Sequence, residues 1–207
     1  MPGMRLRFTR FLPIFLVAAL AACGGSTPRM DKLADDAVIL AFGDSLTYGT
    51  GAAKEDSYPA QLERGIKRKV VNAGVPGETS AAGLERLGEV LDEVKPALLI
   101  LCHGGNDFLR KMDEAKAASN VRAMIAMARE KDIAVVLLAT PKPTLPPSVP
   151  PFYRQIAEET GVGFEEAVVK AVLLDRDLKS DLVHPNAEGY RRIAKALEKM
   201  LRRSGAV

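Results

Sequence analysis

Histidine and cysteine are scarce in this chain, with two of each among 207 residues. His103 and His184 are far apart in sequence, as are Cys23 and Cys102, so no ligand spacing for zinc is present and no metal or other cofactor is expected. Cys102 sits alone in an apolar run (A-L-L-I-L-C) and reads as a small buried hydrophobe, not a nucleophile. Other signatures are also missing. Without a G-x-S-x-G elbow, the usual α/β-hydrolase nucleophile is excluded. Lack of an S-x-x-K disfavours a β-lactamase type of site. No Walker A loop is present to cradle nucleotide phosphates.

An excess of one charge is lacking as well, once the leader is set aside. Residues 1–22 carry Arg5, Arg7 and Arg10 ahead of a short apolar run and then small residues, the pattern of an export signal too short to remain as a membrane span. The whole chain is formally +3, and removing those three arginines leaves 26 basic against 26 acidic residues. The basic balance therefore belongs to the leader, and nucleic acid is not an expected partner. Leu20-Ala21-Ala22-Cys23 resembles a bacterial lipobox, which implies lipidation of Cys23 and rules out a disulfide within the chain. Residues 23–36 then read as a lipidated tether, flexible through Gly24, Gly25 and Ser26. Gly24 after the cysteine resembles the outer-membrane sorting pattern of Gram-negative lipoproteins. The expected location is the cell envelope, anchored by lipid and facing the periplasm.

The remainder, residues 37–207, reads as one domain. Apolar runs at 37–42, 69–72, 97–102, 134–139 and 162–164 alternate with helical patterns. Those helices are expected over 59–68, 80–94 (capped by Ser80), 115–131, 151–160, 165–173 and 187–203. Unbroken apolar runs suit a parallel sheet covered on both faces, so the order predicts a doubly wound α/β domain. The last helix is amphipathic; its basic face is either a solvated outer surface or a contact for anionic lipid. Residues 141–151 hold six prolines and are expected to be stiff and extended. They come after the fourth strand and serve either as a rigid connection or as one wall of a cleft.

The stretch 37–49 (A-V-I-L-A-F-G-D-S-L-T-Y-G) delivers Ser45 just past the end of the first strand, the edge where ligands bind in such sheets. A serine nucleophile needs a base. His184 lies in S-D-L-V-H-P-N with Asp181 three residues upstream, a spacing that lets a carboxylate orient the ring. Pro185 keeps His184 off a helix. His103 has no such acid and reads as a cleft wall or a support behind the site. Oxyanion donors are sought at glycine-bearing strand ends: the Ser45 N–H, the Asn72-Ala73-Gly74 segment, and the Asn106 amide within Gly104-Gly105-Asn106-Asp107.

G-D-S-L at 43–46, N-A-G at 72–74, G-G-N-D at 104–107 and D-L-V-H-P at 181–185 occur in the order seen in the SGNH (GDSL) hydrolases. The chain resembles their thioesterase I/lysophospholipase L1-type esterases and arylesterases over nearly all of its length past the leader. The resemblance implies a three-layer α/β/α sandwich on a flavodoxin-like five-stranded parallel sheet. It implies Ser45 as nucleophile, His184 as base, Asp181 as its orienting acid, and Ser45, Gly74 and Asn106 as oxyanion donors. Asp44 and Asp107 read as turn-stabilising. The expected activity is hydrolysis of a small acyl ester, thioester or lysophospholipid through an acyl-enzyme. Alternatives are a carbohydrate O-acetyl esterase and a non-enzymatic envelope binding lipoprotein. The lipobox departs from the family's usually soluble periplasmic thioesterases.

Overall fold

The computed structural model describes residues 28–207. The leader and Cys23 lie outside the described residues. Five strands, β1 (Ile39–Gly43), β2 (Val70–Gly74), β3 (Leu98–Cys102), β4 (Ala134–Leu138) and β5 (Gly163–Glu165), form one parallel sheet in the order β2-β1-β3-β4-β5. This is the flavodoxin-like order, and the strand neighbours switch sides at β1.

Alternation along the strands assigns each residue to one of two cores. Ile39, Ala41, Leu98, Ile100 and Val136 face α2 (Tyr58–Ile66), α7 (Val168–Leu174) and α8 (Ala187–Ser204). Leu40, Phe42, Leu99, Leu101 and Leu137 face α3 (Ser80–Val94), α5 (Glu114–Arg129) and α6 (Pro151–Thr160). Both faces are covered, which is why the runs of β1 and β3 contain no polar residue. On α8 the apolar side, including Tyr190, Ile193 and Leu197, is buried. Arg191 and Arg202 on its outer side pair with Glu188 and Glu198 of the same helix.

Several boundaries differ from the expectations. Two short helices, α1 (Ser45–Tyr48) and α4 (Gly105–Leu109), come directly after β1 and β3. At four and five residues they are too short to show a helical period. Thr79, not Ser80, caps α3, its Oγ1 accepting from the Ala82 N–H at 3.4 Å. Glu165 ends β5 instead of opening a helix, because its carboxylate accepts the Ala167 and Val168 N–H groups, each at 3.0 Å. The proline-rich segment is not extended. A bridge between Lys142 and Ser148 folds it back on itself, and the Thr144 hydroxyl donates to the Pro146 carbonyl at 2.8 Å.

Close approach of α1 to the sheet is what aims the residues after β1. A methyl group on Gly43 would sit 2.3 Å from the Cys102 carbonyl oxygen and 2.3 Å from Thr47 Oγ1. Its backbone φ is not in the left-handed region, so the obstacle is purely steric. Gly43→Ala should therefore destabilise the fold by about 1–3 kcal/mol, the usual range for overpacking, read as a lowered Tm in thermal unfolding.

Candidate active site

Asp44 caps α1, its Oδ1 accepting the Leu46 N–H at 3.0 Å, and this fixes Ser45 as the first helical residue. The segment carrying His184 is held by a lattice of short contacts. Lys179 and Pro185 form an antiparallel bridge, and the Ser180 N–H donates to the His184 carbonyl at 2.9 Å. Asn186 caps α8 through the Gly189 N–H at 3.0 Å, and its amide donates to the Asp177 carbonyl at 2.9 Å. From α8 the Tyr190 hydroxyl donates to the Thr50 carbonyl at 2.8 Å, linking this segment to the chain just past α1.

These supports bring together three residues distant in sequence. Ser45 Oγ lies 3.0 Å from His184 Nε2, and His184 Nδ1 lies 2.7 Å from Asp181 Oδ2. Asp181 Oδ1 also accepts the N–H groups of Val183 and His184, both at 2.8 Å. Burial alone would raise the Asp181 carboxyl. The His184 ring and the two backbone donors outweigh it and hold the carboxyl below its ordinary value. An ionised Asp181 makes Nδ1 the protonated nitrogen of neutral His184, leaving Nε2 to accept the serine proton.

The oxyanion expectations fare unequally. Asn106 is buried beside Ser45, its Nδ2 2.9 Å from the Glu78 carbonyl oxygen and 3.2 Å from Asp44 Oδ2. The Ser45 N–H has no partner among the described residues. Gly74 does not fit the expected role. Its N–H donates to Asn72 Oδ1 at 3.0 Å, and a Cβ there would meet the Tyr48 nitrogen at 2.1 Å. Glycine at 74 is thus explained by the packing of α1 on β2. The turn after β2 holds a donor that sequence reasoning misses. The Glu78 N–H donates back to the Val75 carbonyl at 3.2 Å across Pro76 and Gly77, and Gly77 has φ +78, the proline-then-glycine pattern of a type II turn. Among the described residues the Gly77 N–H is unpartnered. The V-P-G-E stretch was the available signal.

Asp107 acts on a distant segment and not on its own turn. Its carboxylate accepts the Ser80 N–H at 2.8 Å and the Ser80 hydroxyl at 2.7 Å, tying α4 to the start of α3. His103 is wholly buried and forms no part of a cleft wall. Cys102 is buried too, and burial pushes its thiol up to about 12.

Above Ser45 opens a cleft of about 1000 Å³. Its walls come from the proline-rich segment, residues 141–147, and from residues 173–184, with Leu46 and Leu109 at the sides. Of the two readings of the proline segment, the cleft wall is the one the structure supports.

The sequence profile of the GDSL-like Lipase/Acylhydrolase family matches residues 41–192. This chain belongs to that family. The GDSL-like chain is 38% identical to "Esterase TesA" of Pseudomonas aeruginosa over 120 residues, covering 56% of this chain and 58% of that protein. It is 27% identical to "Thioesterase 1/protease 1/lysophospholipase L1" of Escherichia coli K12 over 171 residues, covering 79% of this chain and 82% of that one. Among solved structures, AlinE4, described as an SGNH-hydrolase family esterase, superposes with a TM-score of 0.63 at 33% identity, covering 85% of this chain and all of that one. The alignment with the Pseudomonas relative thus spans less than two thirds of its length.

Next to the site, Glu78 gives the GDSL-like domain an acid-sensitive element. Burial would raise its carboxyl, but the contacts with His103 and Arg86 bring it from 4.5 down to about 2. A lowered value in the folded state means that the ionised group contributes stability above pH 4.5, lost as pH falls towards about 2. In urea unfolding monitored across that window, Glu78→Gln should flatten the decline seen in the parent protein.

Proposed function

We propose that the protein is a serine carboxylic-ester hydrolase that acts through an acyl-enzyme. The observation that carries this reading is the Ser45–His184–Asp181 chain of contacts at the floor of an open cleft. His184 Nε2 takes the Ser45 proton as Oγ attacks an ester or thioester carbonyl. The oxyanion is met by the Ser45 N–H, by the Gly77 N–H in place of Gly74, and by the Asn106 N–H that otherwise leans on Asp44 Oδ2 at 3.2 Å, the other staying on the Glu78 carbonyl. His184 then gives its proton to the departing alcohol or thiol, and water activated by His184 releases the acid.

The cleft favours the acyl-ester class over the O-acetyl alternative. An acetyl group needs little room, whereas this cleft of about 1000 Å³ is walled by prolines and by Leu109, Leu145, Leu173 and Leu182. Such apolar walls gain from each methylene removed from water, at ~0.8 kcal/mol apiece. The substrates that fit are aryl or alkyl esters, acyl thioesters and lysophospholipids with more than a few acyl carbons. The names of the relatives support the same class.

With p-nitrophenyl esters of increasing chain length, kcat/KM should rise beyond the acetate. A maximum at acetate would favour the O-acetyl reading. Ser45→Ala should abolish both turnover and labelling by a fluorophosphonate. Asn106→Ala should lower kcat by ~10²–10³ while the protein stays folded, the usual effect of losing one oxyanion donor.

We also propose that the mature chain begins at a lipidated Cys23. Radiolabelled palmitate should enter the protein in bacterial cells, and Cys23→Ala should stop it. Equal incorporation by the variant would refute the anchor.

A further inference from the structure

Beneath the site lies a charged cluster that the proposed chemistry does not use. Glu78 is held by Arg86, whose Nε is 2.6 Å from Oε1 and whose Nη2 is 2.7 Å from Oε2. His103 Nε2 lies 3.1 Å from the same Oε2, too oblique for a hydrogen bond. His103 is wholly buried, and neither ring nitrogen has a hydrogen-bond partner among the described residues. An imidazole buried with both nitrogens unsatisfied is costly, and the fold makes room for it. A Cβ on Gly83, inside α3, would lie 2.5 Å from His103 Nε2.

Each member of the cluster holds a segment that reaches the catalytic centre. The Arg86 guanidinium stacks 4.0 Å over the Phe42 ring and donates to the Ala73 carbonyl at 2.8 Å, joining β1 to β2. The Glu78 backbone carbonyl accepts the Asn106 amide at 2.9 Å. His103 stands three residues before Asn106, with its own carbonyl accepting the Tyr153 hydroxyl at 2.6 Å. The Asn106 amide faces two oxygen acceptors, Glu78 O and Asp44 Oδ2. Its nitrogen must therefore point to them; the shorter contact, to the Glu78 carbonyl, sets the rotation of the group and so the aim of the second N–H, which leaves Asp44 for the oxyanion. Gly77 precedes Glu78 directly, so the same carboxylate also steadies that N–H.

From this we propose that His103, Glu78 and Arg86 form one buried positioning unit for the oxyanion donors, with His103 fixing Glu78 and, through it, the Asn106 amide. His103 is a positioning residue; it touches neither the cleft nor Ser45. The inference rests on the acyl-transfer reading above.

The test is a double-mutant cycle between His103→Leu and Asn106→Ala, with kcat and KM measured separately on an activated ester. His103→Leu alone should lower kcat by about 10- to 100-fold, the scale of a misplaced catalytic group, with KM changed by less than about twofold. In the Asn106→Ala background the same change should have little further effect. Glu78→Asp, which keeps the charge but shortens the side chain, should behave in the same way and serves if His103→Leu fails to fold. Unchanged kcat in the folded single variant, or an equal loss in both backgrounds, would overturn the positioning role. Neither result touches the acyl-transfer reading, which falls instead if the unaltered protein is neither labelled by a fluorophosphonate nor active.

Discussion

All five residues of β1 are buried, and its backbone groups have no access to water. They are satisfied chiefly by pairing, with β2 on one side and β3 on the other, in a register that sets Gly43 opposite Gly74 and Cys102. The three strands therefore end at one level, and the residues just past each strand are delivered to one place. After β1 comes Ser45, after β2 the turn of Gly77 and Glu78, and after β3 the Gly104–Gly105–Asn106 segment. Slipping β1 by one residue would exchange the faces of Ile39 and Leu40 and break both cores. The hydrophobic pattern of one strand thus fixes, through register, the relative positions of Ser45 and the Asn106 amide.

The range of each interaction decides how much of this was legible in the sequence. That Ser45, Asp181 and His184 come together could be read because strand burial, a three-residue spacing and an adjacent proline are local signals. The sheet could be read because uninterrupted apolar runs have few other uses. Gly74 could not be read correctly, because glycine at a strand end serves either ligand approach or close packing. Only the contact with Tyr48 shows which need applies. Asp107 misled for a similar reason. Its partner, Ser80, is 27 residues away, and nothing near Asp107 in sequence marks that distance. His103 was the hardest, since its place among Glu78, Phe42 and Gly83 depends on three different elements.

The sequence suggested a stiff extended rod for the proline-rich segment, whereas the structure shows a folded-back wall. Proline sets the dihedral preferences of individual residues, but the direction of the segment is decided by the Lys142–Ser148 bridge and by Lys142 pairing with Glu114 of α5. Leu145 at its tip is 95% exposed. With Leu182, 79% exposed, it presents apolar surface to solvent at the mouth of the cleft.

The first residues described and this mouth sit at opposite ends of the domain. Met30 and Leu33 hydrogen-bond to the carbonyls of Ser204 and Ala206 at the far end of α8, each at 2.9 Å. Helix α8 starts beside His184 and runs back along the sheet, so the chain enters the domain at the edge opposite the cleft. Among the described residues none before Asp44 lines the cleft, so its walls are left to the segments that follow β4 and the end of α7.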